Sequence, residues 1–158
     1  MEYEIRSEGL TDFEIRFRAI KEFREDIHDA MKEAAEEAGS YMGTHVPYEG
    51  GALFRAINVG EISYSPGAAG GGGYYEVHVG VDESQAPHAE FVIEGTGLFN
   101  REHPTNGIFP SNGNVLAFTD RGQQVFAAWV RGQEPQRAWF ENAQDLARTI
   151  IARKIAGI

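Results

Sequence analysis

Asp12-Phe13-Glu14-Ile15-Arg16-Phe17-Arg18 runs directly into Ala19-Ile20-Lys21-Glu22-Phe23-Arg24-Glu25-Asp26-Ile27, and the change of period between the two segments decides the fold. In the first segment Phe13, Ile15 and Phe17 alternate with charged residues. A helix would set Ile15 across from Phe13, so the period of two predicts a strand over 12–18. From Ile20 the apolar positions become Ile20, Phe23, Ile27, Met31, Ala34, Ala38 and Met42. Steps of three and four predict an amphipathic helix of about six turns. It runs out near Gly43, and Pro47 cannot continue it.

Beyond this helix, Ala52 to Val59 reads as a helical turn passing into a strand that continues through Ile62 and Tyr64. Residues 66–73, Pro-Gly-Ala-Ala-Gly-Gly-Gly-Gly, hold no regular structure. Tyr75, Val77, Val79 and Val81 alternate with Glu76, His78 and Gly80, which predicts a second strand of a long-looped antiparallel hairpin. Ala89 to Glu94 fits either a strand or a short helix. Residues 95–114 are rich in Gly, Pro and Asn and form a long irregular excursion, a length that in a compact domain is usually functional or disordered. Val115–Phe118 and Gln124–Val130 flank Thr119-Asp120-Arg121-Gly122, a hairpin with a strong turn signal. After Gly132-Gln133-Glu134-Pro135 a closing helix is expected from about Arg137 to Ala156, with Trp139, Phe140, Ala143, Leu146, Ile150 and the stem of Lys154 as its apolar stripe. The expected fold is α+β: a mostly antiparallel sheet of four to six strands, packed by a long N-terminal helix and a C-terminal helix. Residues 1–11 read as an N-terminal extension and 12–158 as one domain.

Composition narrows the function classes. The chain has 158 residues, 42% hydrophobic and 24% charged, which is ordinary for a globular domain with a core. It holds no cysteine, which excludes disulfides, thiolate zinc sites, iron–sulfur clusters and a cysteine nucleophile. Val125 to Val130 is the longest apolar run, far short of the twenty or so residues that span a bilayer. The start, Met1-Glu2-Tyr3-Glu4, is acidic where a secretory signal is basic, so a cytoplasmic protein is expected. The net charge of −10 opposes tight phosphate binding. Residues 1–50 carry 13 acidic and 6 basic side chains, whereas 132–158 carry 3 and 4. That asymmetry suits head-to-tail contact between copies, and a solvated helix face accounts for it equally well.

Few residue sets suggest chemistry. His88, Glu90, Glu94 and His103 offer imidazole and carboxylate donors for a small metal-dependent hydrolase, with a Glu as base to a metal-bound water. Their spacing is poor: a helix that sets Glu90 and Glu94 on one face turns His88 away from Glu90, and a strand that aligns His88 with Glu90 holds Glu94 about 13 Å along from Glu90. No serine lies in a nucleophile elbow, and Gly70 to Gly73 lacks the Gly-Lys-Ser or Gly-Lys-Thr ending of a phosphate loop. His28, among acids on the long helix, reads as solvent-facing. Trp129, Trp139 and Phe140 read as core, with an interface anchor as the alternative. An acidic chain that mimics DNA or inhibits a host factor is a third reading, resting on charge alone.

Three segments in order carry a resemblance. They are His45-Val46-Pro47-Tyr48-Glu49-Gly50-Gly51-Ala52-Leu53-Phe54-Arg55, then Pro87-His88-Ala89-Glu90-Phe91-Val92-Ile93-Glu94-Gly95-Thr96-Gly97, then Gly132-Gln133-Glu134-Pro135-Gln136-Arg137-Ala138-Trp139-Phe140. Over residues 12–156 the chain resembles the neck or tail-completion proteins of long-tailed phages. In that family a long helix ends in Ala-Pro-x-Asp-Thr-Gly-x-Leu-Arg, followed by Tyr-Ala-x-x-Val-Glu-x-Gly-Thr and Gln-x-Pro-x-Pro-Phe. Here Asp-Thr-Gly is replaced by Glu49-Gly50-Gly51 and the leading Tyr-Ala by His88-Ala89. The resemblance implies a non-enzymatic virion protein without cofactor or metal. It implies a homo-oligomeric ring between head-closure or adaptor connector proteins and tail terminator or tail tube proteins, with DNA passing through its lumen without tight binding. Its motif positions are Pro47, Gly51, Leu53, His88, Glu90, Glu94, Gly95, Thr96, Gln133, Pro135, Trp139 and Phe140. The loops at 66–73 and 95–114 would reach adjacent rings. Gly51 permits a turn with positive φ, and Glu94-Gly95-Thr96 leaves a chain reversal whose carboxylate is free to cap nearby amides.

Overall fold

The computed structural model describes residues 2–9, 11–18, 25–47, 51–67, 73–100, 105–111, 115–120 and 122–156. It divides into two compact units, residues 1–89 with 138–158, and residues 90–137.

The first unit is built on strand β2, Asp12–Arg18, where the period of two puts Phe13, Ile15 and Phe17 on one face, each essentially fully buried. Burying such side chains stabilises by roughly 1.5–3 kcal/mol each. β2 pairs antiparallel on one side with β1, Tyr3–Glu8, and on the other with β5, Tyr74–Val81. Residues 3–8, expected as part of an extension, thus supply an edge strand of the sheet. On the far side of β5 lie β3, Ile57–Val59, and β4, Ser63–Ser65. Val59 faces Val79 and Ser63 faces Glu76, so three residues, 60–62, stand opposite two, 77 and 78. Because Gly60 still donates to the His78 carbonyl at 2.8 Å, the extra residue falls at Glu61-Ile62 opposite Val77, a β-bulge. β3 is preceded by the single helical turn α2, Ala52–Arg55.

The long helix α1, Glu25–His45, buries Ile27, Ala30, Met31, Ala34, Ala35, Ala38, Gly39 and Met42, the stripe that the spacing predicts. Ile20 and Phe23 lie outside the described residues. Gly39 is required where it stands: a Cβ there would sit 2.4 Å from the Cγ2 of Val59 on β3. The closing helix α4, Ala138–Ile155, packs along α1 and buries Trp139, Phe140, Ala143, Gln144, Ala147, Ile150 and Ile151. Phe140 meets Phe13 edge-on at 5.8 Å, and the Gln144 amide donates to the Ser7 hydroxyl at 3.1 Å. Both helices therefore cover one face of the sheet, in an α+β arrangement with five antiparallel strands.

The second unit begins in the short helix α3, Ala89–Glu94, so the segment left open between strand and helix is helical. A 3-10 turn at Gly97–Phe99 follows. Strands β6, Leu116–Asp120, and β7, Gln123–Ala127, form the expected hairpin, with Gly122 at φ +79° in its turn. An isolated bridge joins Ile108 to Val130. No helix among the described residues is long and apolar enough to cross a membrane.

Candidate functional site

In the 90–137 unit the second and third motif segments form one knot. Thr96 donates its backbone N–H to the Gln133 carbonyl at 2.9 Å, and Gln133 returns its own N–H to the Thr96 hydroxyl at 2.8 Å. Leu98 donates to the Arg131 carbonyl and Gln136 to the Val92 carbonyl, at 2.8 and 2.9 Å. The strands of backbone approach so closely that side chains are excluded. A Cβ on Gly95 would lie 2.8 Å from the Gln133 carbonyl and 2.9 Å from Pro135, and one on Gly132 would lie 1.9 Å from the Thr96 carbonyl. Both glycines also hold positive φ, +79° and +105°.

Beside this knot Glu94, nearly fully buried, pairs with Arg137 at 2.9 Å. The carboxylate expected to cap amides is thus spent on a guanidinium, the stronger partner for a buried anion. Gly51 does not use the positive φ open to it. It precedes α2 at φ −75°, ψ −177°, extended backbone open to any residue, while Leu53 beside it is buried. Pro47 follows the end of α1, and Tyr48 to Gly50 lie outside the described residues.

The same unit carries much apolar surface. Among the described residues Phe91, Leu98, Ile108, Phe109, Val115, Phe126 and Trp129 are exposed large apolar side chains here, against Phe54 and Tyr64 in the other unit. Phe109 stacks on Trp129 with ring centroids 6.2 Å apart. Trp129, expected in the core, is about half exposed at 47%, whereas Trp139 and Phe140 are core residues. On the hairpin, Ala117 and Phe126 face each other on one side, and Phe126 is 64% exposed. An open concavity of about 500 Å³ is lined by Phe91, Thr96, Gly97, Ile108 and Phe109 among others.

The residues of the metal reading do not gather. His88 and Glu90 are exposed, Glu94 is paired with Arg137, and His103 lies outside the described residues. Among the described residues the one triad with imidazole and carboxylate donors within 4.8 Å of one another is Glu14, Glu76 and His78. It stands on the sheet face opposite the helices, where the ladder sets Glu14 across from His78 and Arg16 across from Glu76. Glu14 and Glu76 are both buried, and Arg16 bridges them: its Nε lies 3.2 Å from Glu14, and its other end pairs with Glu76. The guanidinium also lies over the Tyr74 ring, 4.5 Å from its centroid. His78 Nε2 is 3.6 Å from Glu14. A guanidinium held by two carboxylates and a ring is a structural counter-ion, and a divalent cation would have to displace it. The signal that could have located this cluster is the charged half of the alternation in 12–18, read together with the opposing half of 74–80.

No family model, curated protein or solved structure matches the chain.

Proposed function

We propose that this chain is a structural, non-enzymatic protein of a long-tailed phage neck, assembling as a ring between the head-side connector and the tail terminator and letting DNA pass. The observation that carries the reading is the exposed apolar surface of residues 91–129. Exposed apolar side chains gathered on one unit, with Phe109 stacked on Trp129 and Phe91, Ile108 and Phe109 lining one concavity, favour protein–protein contact, and a hairpin of two strands is marginally stable alone. The two units supply different surfaces, one apolar and one strongly acidic, as a ring with heterologous contacts needs. An acidic lumen would repel passing phosphate.

The test is the particle mass by light scattering, for the protein alone and mixed with phage connector and tail-terminator proteins, with and without chelator. A ring, or a monomer that assembles on adding those partners and ignores chelator, supports the reading. A chain that binds neither partner in any buffer refutes it.

A further inference from the structure

The outer edge of β1 is matched to itself. Among the described residues no strand pairs with that edge, and the Tyr3–Glu8 register against β2 is unbroken, with no bulge and no proline. The opposite edge of the sheet is interrupted by the bulge at Glu61-Ile62, a device that discourages strand addition. The helix layer also covers β1 less completely than β2, touching it where Gln144 of α4 donates to Ser7. Ile15 and Phe17 on β2 are buried, while their β1 neighbours Ile5 and Tyr3 on the same face are half-buried.

Hydrogen-bond phase then limits what can add. Arg18 donates to the Glu2 carbonyl at 3.1 Å, so Glu2 and Arg18 are a bonded pair. In an antiparallel ladder bonded pairs alternate, which assigns Glu4 and Arg6 to β2 and turns the backbone groups of Tyr3, Ile5 and Ser7 outward. A second antiparallel β1 can satisfy all three outward residues in one register: Ile5 on Ile5 of the second copy, and Tyr3 on its Ser7, at both ends. In that register Glu4 lies across from Arg6 of the second copy, and Arg6 across from its Glu4. Both side chains stand on the face away from the helices, 47% exposed, and already attract each other within one chain at 2.7 Å. Sliding by two residues in either direction puts Glu4 on Glu4 or Arg6 on Arg6 at the two-fold axis and loses a bonded pair. At the fringe the position of Glu8 faces Glu2, which Arg18 already neutralises at 3.0 Å.

We infer that β1 pairs with β1 of a second copy about a two-fold axis at Ile5, joining two five-stranded sheets into one. The contact is isologous and uses residues 3–7. The neck reading places its contacts on 91–129, so either can fail without the other.

Because the chain has no cysteine, the register can be read by cross-linking in the full-length protein. Facing bonded residues have Cα atoms about 5.5 Å apart, within disulfide reach. The substitution Ile5→Cys is expected to give a covalent dimer under mild oxidation and Glu4→Cys much less, since Glu4 stands diagonal to its own copy. In light scattering, Glu4→Arg is expected to halve the particle mass by setting like charges across the axis, and Glu4→Arg with Arg6→Glu to restore it. Far-UV circular dichroism verifies that each variant is folded. Equal cross-linking of the two cysteine variants, or a folded Glu4→Arg protein of undiminished mass, overturns the inference.

Discussion

Arg16 serves two buried carboxylates at once, and its loss would leave both Glu14 and Glu76 uncompensated on the sheet. Removing one partner of a buried ion pair costs about 3–5 kcal/mol, so Arg16→Met should lower stability by about 3 kcal/mol in urea unfolding, with the slope unchanged. A glycine of the hairpin turn and one of the motif knot allow a cleaner contrast. Gly122 holds φ +79° with nothing within 4 Å of a Cβ, whereas Gly132 holds φ +105° with the Thr96 carbonyl in the way. Gly122→Ala should cost about 1–2 kcal/mol from backbone strain alone. Gly132→Ala should cost more and speed amide exchange across residues 94–98 and 131–136. Asp82 carries a separate pH signature. The Ser84 hydroxyl, then the Gln85 side chain and the Ser84 backbone N–H, hold its carboxyl below the ordinary aspartate value. A depressed carboxyl contributes stability above its unfolded pKa and loses it as pH falls through the folded one. In an NMR titration Ser84→Ala should therefore move the Asp82 midpoint upward, and an unmoved midpoint would show that the other donors suffice.

At the scale of elements, the alternation of Phe13, Ile15 and Phe17 and the three-and-four spacing from Ile27 to Met42 were sufficient to locate β2 and α1, because one face of each is buried and burial imposes the period. The C-terminal helix was legible for the same reason, although Ala147 and Ile151 are buried on it rather than Leu146, which is half-buried. Period says nothing about which strand lies beside which, so β1 was read as an extension: Tyr3, Ile5 and Ser7 present no buried stripe of their own. The Glu14–Arg16–Glu76 network was hidden by the same logic, since it depends on register between strands some sixty residues apart in sequence. The motif knot was legible as residues and not as a contact. Glu94-Gly95-Thr96 and Gly132-Gln133 showed no local reason to meet, and their glycines make sense once the two backbones lie against each other. Helix α1 gives a test of how closely elements fit. Ala34 and Ala38 are fully buried on it. Ala34→Leu should cost about 1–3 kcal/mol through overpacking, measured by thermal or urea unfolding.

For the whole molecule, a long-range repulsion and a contact attraction oppose each other. A net charge of −10 opposes the approach of copies, and on the proposed reading the apolar residues between Phe91 and Trp129 would hold them together at contact. Repulsion acts over the Debye length, about 10 Å at 0.1 M salt and about 3 Å at 1 M, whereas apolar burial is felt only on touching. Raising salt therefore removes the barrier and leaves the attraction. The particle mass of the isolated chain should grow between about 0.05 and 0.5 M sodium chloride at neutral pH, in keeping with the screening length. Phe109→Ser with Phe126→Ser should abolish that growth, because both rings are more than half exposed and belong to the surface in question. Substitutions at such exposed positions usually change stability by no more than about 0.5 kcal/mol each, so the unfolding midpoint should hardly move. A mass that falls with salt would mean that copies meet through opposite charges, as in the proposed Glu4–Arg6 pairs across β1 or in the acidic first fifty residues against the slightly basic tail, and would count against 91–129 as the contact surface.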